Sequence, residues 1–170
     1  MVGLTEIQTA YYMVAATGVL IAAVYYVLNM RVTLQTRQAQ LFIPIYSTYH
    51  SDEYMKAYSE IMRWKWENYD DYINKYGSES NPEAYIMYRK VFGFFEGVGV
   101  LVRRRLIDPS LVDDLMSGAI VQYWERFESI LLERRRRLNW PQVGEQIEYL
   151  YNEVKPIAER QRRQLENKPE

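Results

Sequence analysis

The chain has 170 residues and a net charge of −1, with 48% hydrophobic, 15% aromatic and 25% charged residues, proportions of a folded domain and not of an intrinsically disordered chain. It holds no cysteine and one histidine, His50, which removes disulfides, thiolate zinc sites, iron–sulfur clusters, cysteine nucleophiles and any site built on two imidazoles. The near-neutral balance gives no global basic excess of the kind that signals nucleic acid.

The first element is a membrane span. Ile7 to Met30 is a run of 24 residues without a charge, bounded by Glu6 and Arg31. A helix of that length covers about 36 Å, enough for a hydrocarbon core of about 30 Å. Tyr11 and Tyr12 near one end and Tyr25 and Tyr26 near the other fit two interfacial belts. No Lys or Arg precedes the run, and it is too long for the apolar core of a signal peptide. Arg31 and Arg37 follow it closely, so the positive-inside rule expects the N-terminus outside and the C-terminal part in the cytoplasm. Gly18 and Ala22 form a small-xxx-small pair of the kind that lets two helices approach in lipid.

The helix is expected to continue through a juxtamembrane stretch, 31–51. Leu28, Val32, Gln35, Ala39, Phe42, Tyr46 and Tyr49 alternate steps of four and three, the spacing of a helix seam. Pro44 is expected to kink or restart the helix, and Ser51 to cap the next one. A helical bundle then fills 52–165. Tyr58, Ile61, Met62, Trp66, Tyr69, Ile73 and Tyr76 predict one helix over about 52–76, closed by Gly77. Asn81-Pro82 opens a third helix to about 106, and Asp108-Pro109 a fourth to about Leu138. A fifth is expected from Pro141 to about Leu165, with Pro156 a kink, and 166–170 as a disordered tail. The fold class is all-α: one N-terminal transmembrane helix extended into a cytoplasmic bundle of about four to five helices.

Glu96 lies in the apolar stretch Phe94-Phe95-Glu96-Gly97-Val98-Gly99. A carboxylate there is a proton-handling acid, a ligand-facing anchor or a buried group bonded by another helix, and the structural role is the favoured one. Gly93, Gly97 and Gly99 leave room for a neighbouring backbone or aromatic ring close to it. Trp124, Arg126 and Arg103 are its expected partners. Asp113, Asp114, Glu125, Glu128 and Glu133 read as solvated faces or helix-start charges, and no glutamate carries the Glu-x-x-His spacing of a di-iron bundle. The runs Arg103-Arg104-Arg105 and Arg134-Arg135-Arg136-Arg137 sit near helix C-termini, where the dipole favours cations. Contact with anionic lipid headgroups is the second reading, and nucleic acid the least favoured, because Asp108, Glu125 and Glu133 dilute the field. The sixteen tyrosines and four tryptophans suit either a half-buried core or a contact surface. No phosphate-binding glycine loop and no metal or cofactor motif appears.

The segments VFGFFEGVGVLVRRRLIDPSLV (91–112), YWERFESILLERR (123–135) and IEYLYNE (147–153) resemble the family called domain of unknown function 4760, over about residues 20 to 155. The resemblance implies an N-terminal membrane helix followed by a helical domain, and it brings no catalytic or ligand-binding residues. The expectation is therefore a non-enzymatic single-pass membrane protein working through protein contacts, as an accessory subunit of a membrane complex or a homo-oligomeric scaffold. Gly18 and Ala22 are its expected membrane-packing residues, and Val32, Ala39, Phe42 and Tyr46 its expected protein interface. The alternative is peripheral binding of anionic lipid or nucleic acid through the two arginine runs.

Overall fold

The computed structural model describes residues 3–166, with side chains through residue 160. Among the described residues it holds six α-helices and no strand, so the fold is all-α. The chain divides into two compact units, Met1–Gln40 and Leu41–Glu170. The first helix, α1 (Leu4–Tyr49), runs through the boundary between them and through Pro44.

The first unit is helix alone. Leucines and alanines supply helix-forming residues between Leu4 and Gln40, and no proline interrupts them. Glu6 turns back to accept the Gly3 N–H at 3.0 Å, which holds the entry to the helix. Threonine is a weak helix former because its hydroxyl competes for the backbone. Here Thr9, Thr17, Thr33 and Thr36 each donate to the carbonyl four residues earlier, at 2.8–2.9 Å. Each hydroxyl is thus satisfied inside its own helix. One 46-residue helix is long and apolar enough to cross a membrane, and its most apolar window has no buried residue.

The second unit gathers the core. After the last turns of α1 come α2 (Asp52–Ile61), α3 (Tyr69–Tyr76), α4 (Pro82–Arg103), α5 (Pro109–Leu138) and α6 (Glu145–Glu166). Residues 167–170, which make up most of the expected tail, lie outside the described residues. Side chains start the helices as the sequence leads one to expect. Ser51 Oγ, Asn81 Oδ1 and Asp108 Oδ1 accept from the backbone of Tyr54, Ala84 and Ser110, and prolines follow the last two. α6 packs on both α4 and α5, and α2 packs on α4. Between them lie Phe95, Val98, Ile120, Tyr123, Phe127, Leu131, Ile147 and Leu150, all buried.

The single helix expected over 52–76 is two helices with an irregular connection, and the tryptophans explain why. Trp64 stacks on Tyr76 at 4.0 Å with the rings 1° from parallel, while Trp66 meets Phe127 at 5.2 Å. In a helix, residues two apart point to nearly opposite faces, so it cannot pack both rings inward. Arg126 fastens the connection, donating to the Trp64 carbonyl and standing 4.9 Å over the Trp66 ring. The restart carries its own signature: Asn68 Oδ1 accepts from Asp71 N–H and Asp71 Oδ2 from Glu67 N–H, both at 3.0 Å.

Two other boundaries move. α4 stops at Arg103 because Arg105 takes a left-handed conformation (φ 56°), and the N–H groups of Arg105 and Leu106 bond back to Val102 and Leu101. α6 begins at Glu145 rather than Pro141, after Gly144 at φ 71° sets its Cα beside Leu131. Asp113 corrects a further expectation. It is buried, on the inward face that also carries Val112, Met116 and Ile120. Burial raises its pKa, and the Ser117 hydroxyl one turn on offsets part of that shift.

Candidate functional site

The expected contact residues of the first unit form a single surface. At 100° per residue, Gly18, Ala22 and Val32 fall within about 80° of one another on the helix, and Ala39 widens that face to about 100°. Every side chain from Leu4 to Arg37 is exposed, and a Cβ at Gly18 would have no neighbouring atom within 4 Å. Val32 remains 59% exposed. Asn29 and Thr36 also lie on this face, which is small-residued around Gly18 and Ala22 and uncovered.

In the second unit the seam changes character. Phe42 is buried in the core of its own chain and stacks on Tyr46 at 6.3 Å. Tyr46 stays partly exposed and tilts over His50 at 4.1 Å. Of the two, only Tyr46 offers surface to another molecule.

The arginine runs are largely spent on the fold. Arg103 reaches Glu145 at 2.6 Å and Gln146 at 3.3 Å, and lies 5.6 Å over the Tyr149 ring. Arg135 donates to the Val143 carbonyl and to Glu148, both at 2.7 Å. Arg136 takes Glu133 with both arms of its fork, and Arg137 shares that carboxylate while reaching Asp70. Glu133 is held down to about pH 2 by the hydrogen bonds from Arg136 and Arg137. Arg104 and Arg105 stand exposed beyond the end of α4. Arg134 differs from all of these in its partners: half-buried, it lies among the hydroxyls of Tyr85, Tyr88 and Tyr69.

Glu96 fastens one helix to another. Its Oε1 accepts the N–H groups of Gln146 and Ile147 at 3.1 and 3.0 Å, two of the free amides in the first turn of α6. Those amides bond the carboxylate in place of Trp124, Arg126 or Arg103. Burial raises its pKa, and the two amides with the nearby Arg135 guanidinium pull it partly back. One turn on, Gly99 lets the α6 backbone come so close that a Cβ there would lie 2.2 Å from the Gln146 carbonyl oxygen. Glu96 and Gly99 together form a docking joint, with the anion set at the positive end of a helix dipole. Sequence reasoning singled out the carboxylate and the glycines around it as a place where a neighbouring backbone can come close, and the structure puts that approach at Gly99 and not at Gly93 or Gly97.

Among the described residues no group of three or more His, Asp or Glu side chains is placed to hold a metal ion. The arrangement fits adhesion between helices, with an aromatic core, arginine clamps and one uncovered apolar helix.

The family described as Domain of unknown function (DUF4760) matches residues 12–154, and the chain belongs to it. No curated protein and no solved structure matches the chain.

Proposed function

We propose that the protein is a single-pass membrane protein that catalyses no reaction and works through protein–protein contacts, as a homo-oligomeric scaffold or an accessory subunit of a larger membrane complex. The observation that carries this reading is the uncovered first helix, in which apolar residues such as Val14, Leu20 and Ile21 are at least 65% exposed. Lipid would cover the uncharged stretch from Ile7 to Met30, and a second helix would cover the face with Gly18 and Ala22. Val32 and Ala39 share that face beyond the uncharged stretch, so water rather than lipid surrounds them. Their exposure therefore favours a protein partner. Arg31 and Arg37 support a cytoplasmic C-terminal part and an outer N-terminus.

The natural absence of cysteine makes the test direct. Single substitutions Gly18→Cys, Ala22→Cys and Val32→Cys on this face, and Leu20→Cys and Val27→Cys on the opposite one, are oxidised mildly in native membranes. A disulfide needs Cα atoms within about 7 Å, so a symmetric oligomer gives cross-linked dimers at the first three positions and not at the last two. An accessory subunit gives no homodimer but co-elutes from mild detergent with other chains at fixed stoichiometry. A monomer by light scattering, with no co-eluting chain and no face preference in cross-linking, refutes both versions.

A further inference from the structure

α3, the loop after it and the last turns of α5 enclose a cavity of about 350 Å³, at the small end of ligand pockets, which run from about 300 to 1,000 Å³. It is lined by Tyr69, Tyr72, Tyr76, Tyr85 and Arg134, with Glu79 and Ser80 from the loop. Arg134 is the only cation among the lining residues. Its three successors in the chain, Arg135, Arg136 and Arg137, each reach a carboxylate. Arg134 makes no ion pair among the described residues, although it is half-buried. Taking a guanidinium partly out of water without a counter-charge is costly, and neutral phenols repay only part of that cost.

The walls are fixed before any ligand arrives. Tyr76 is stacked on Trp64, and its hydroxyl exchanges hydrogen bonds with the Lys65 backbone at 3.2 and 3.3 Å. Arg137 lies 4.6 Å over the ring of Tyr69. Tyr72 is buried and tilted against Tyr76, with ring centres 5.7 Å apart. Flat aromatic walls held by such contacts suit a flat ligand, since less ordering remains to be done on binding.

We propose that this cavity is a binding site for a small aromatic monocarboxylate, its ring against the tyrosine walls and its carboxylate on Arg134. A planar guanidinium offers two parallel N–H groups to a carboxylate. Arg134 supplies one positive charge for a single carboxylate, and Glu79, also in the lining, opposes the extra charge of a phosphate. The site is independent of the first helix, and it stands or falls separately from the assembly reading.

The test uses the full chain in mild detergent and saturation-transfer NMR titrations at constant ionic strength, with benzoate, benzamide and phenyl phosphate as probes. Expected is saturable binding of benzoate, at least tenfold weaker binding of the neutral isostere benzamide, and weaker binding of phenyl phosphate. Arg134→Met, checked for fold by circular dichroism, weakens benzoate at least tenfold. Arg134→Lys keeps the charge without the planar fork, serves where the methionine variant fails to fold, and weakens benzoate by a smaller factor. No benzoate binding at millimolar concentration, equal binding of benzamide, or benzoate affinity unchanged in the folded variants overturns the site. Tighter binding of phenyl phosphate overturns the carboxylate assignment.

Discussion

Gly99→Ala puts one methyl group where α4 and α6 meet. The added Cβ would stand 2.2 Å from the Gln146 carbonyl oxygen, 2.7 Å from its carbonyl carbon and 3.0 Å from its Cβ. Two of these neighbours are backbone atoms, so no rotamer change relieves the clash, and the start of α6 must retreat by about 1 Å to reach van der Waals distance. Such overpacking costs about 1–3 kcal/mol. The same retreat stretches the bonds from Gln146 and Ile147 to Glu96, now 3.1 and 3.0 Å, past useful length. Hydrogen bonds to a charged group contribute about 1.5–3 kcal/mol each. Alanine returns about 1 kcal/mol in helix propensity, which leaves a net loss of about 3–8 kcal/mol with both bonds lost. Gly93→Ala and Gly97→Ala are the controls, because a Cβ at either position meets nothing within 4 Å. They are expected to match or exceed the parent by up to about 1 kcal/mol. Urea unfolding of the full chain in detergent, followed by circular dichroism and tryptophan fluorescence, reads all three. Gly99→Ala as stable as Gly97→Ala would refute the joint.

Glu96→Gln keeps an oxygen for both α6 amides and removes the charge. Because the folded pKa of Glu96 is raised, its stabilising effect is complete below the unfolded value near 4.5 and is lost as the pH rises through the folded value. The glutamine variant is therefore expected to gain on the parent between pH 4 and pH 7, and a constant difference across that range rejects the assignment. Glu133 has the opposite sign: with a folded pKa of about 2, its contribution is present above 4.5 and lost as the pH falls towards 2. Acid titration of Glu133→Gln against the parent should show their stabilities converging there, and more salt should narrow the gap at neutral pH. Arg105→Gly relieves a side-chain-bearing residue at φ 56° and is expected to raise stability by about 0.5–1 kcal/mol. A lower thermal midpoint would show that the arginine side chain holds the turn.

The legible parts of the chain are those written locally. Asn81-Pro82 and Asp108-Pro109 mark their helix starts because cap and proline act within one turn. The uncharged run before Arg31 marks its helix by length. The break between α2 and α3 escaped because Tyr58, Ile61, Tyr69, Ile73 and Tyr76 keep a helical period on both sides of it. The local signals against one helix were the pair Trp64 and Trp66, two apart, and the reciprocal caps Asn68 and Asp71. Other features depend on what arrives from elsewhere in the chain. Glu96 bonds backbone amides, which leave no trace in residue identity, and nothing in the run of four arginines distinguishes Arg134 from Arg135. Phe42 belongs to the seam by spacing, yet the core of its own unit covers it.

The second unit spends its charge thoroughly. Arg103, Arg126, Arg135 and Arg137 each close a contact between segments distant in sequence or across a turn, reaching a carboxylate or a backbone carbonyl. Its aromatic rings pack stacked, tilted and edge to face from Tyr49 through Phe94, Tyr54 and Phe95 to Tyr123, Phe127 and Trp66. Against that background two places stand out: an apolar helix with nothing covering it among the described residues, and a half-buried guanidinium, Arg134, that makes no ion pair among them. Folding gains nothing from either, since exposed apolar surface and an uncompensated charge both weigh against the folded state. Features that stability alone would remove are where function is to be sought. Helix and cavity should therefore respond differently to perturbation: filling the cavity should leave assembly intact, and breaking the helix face should leave the cavity's anion selectivity unchanged.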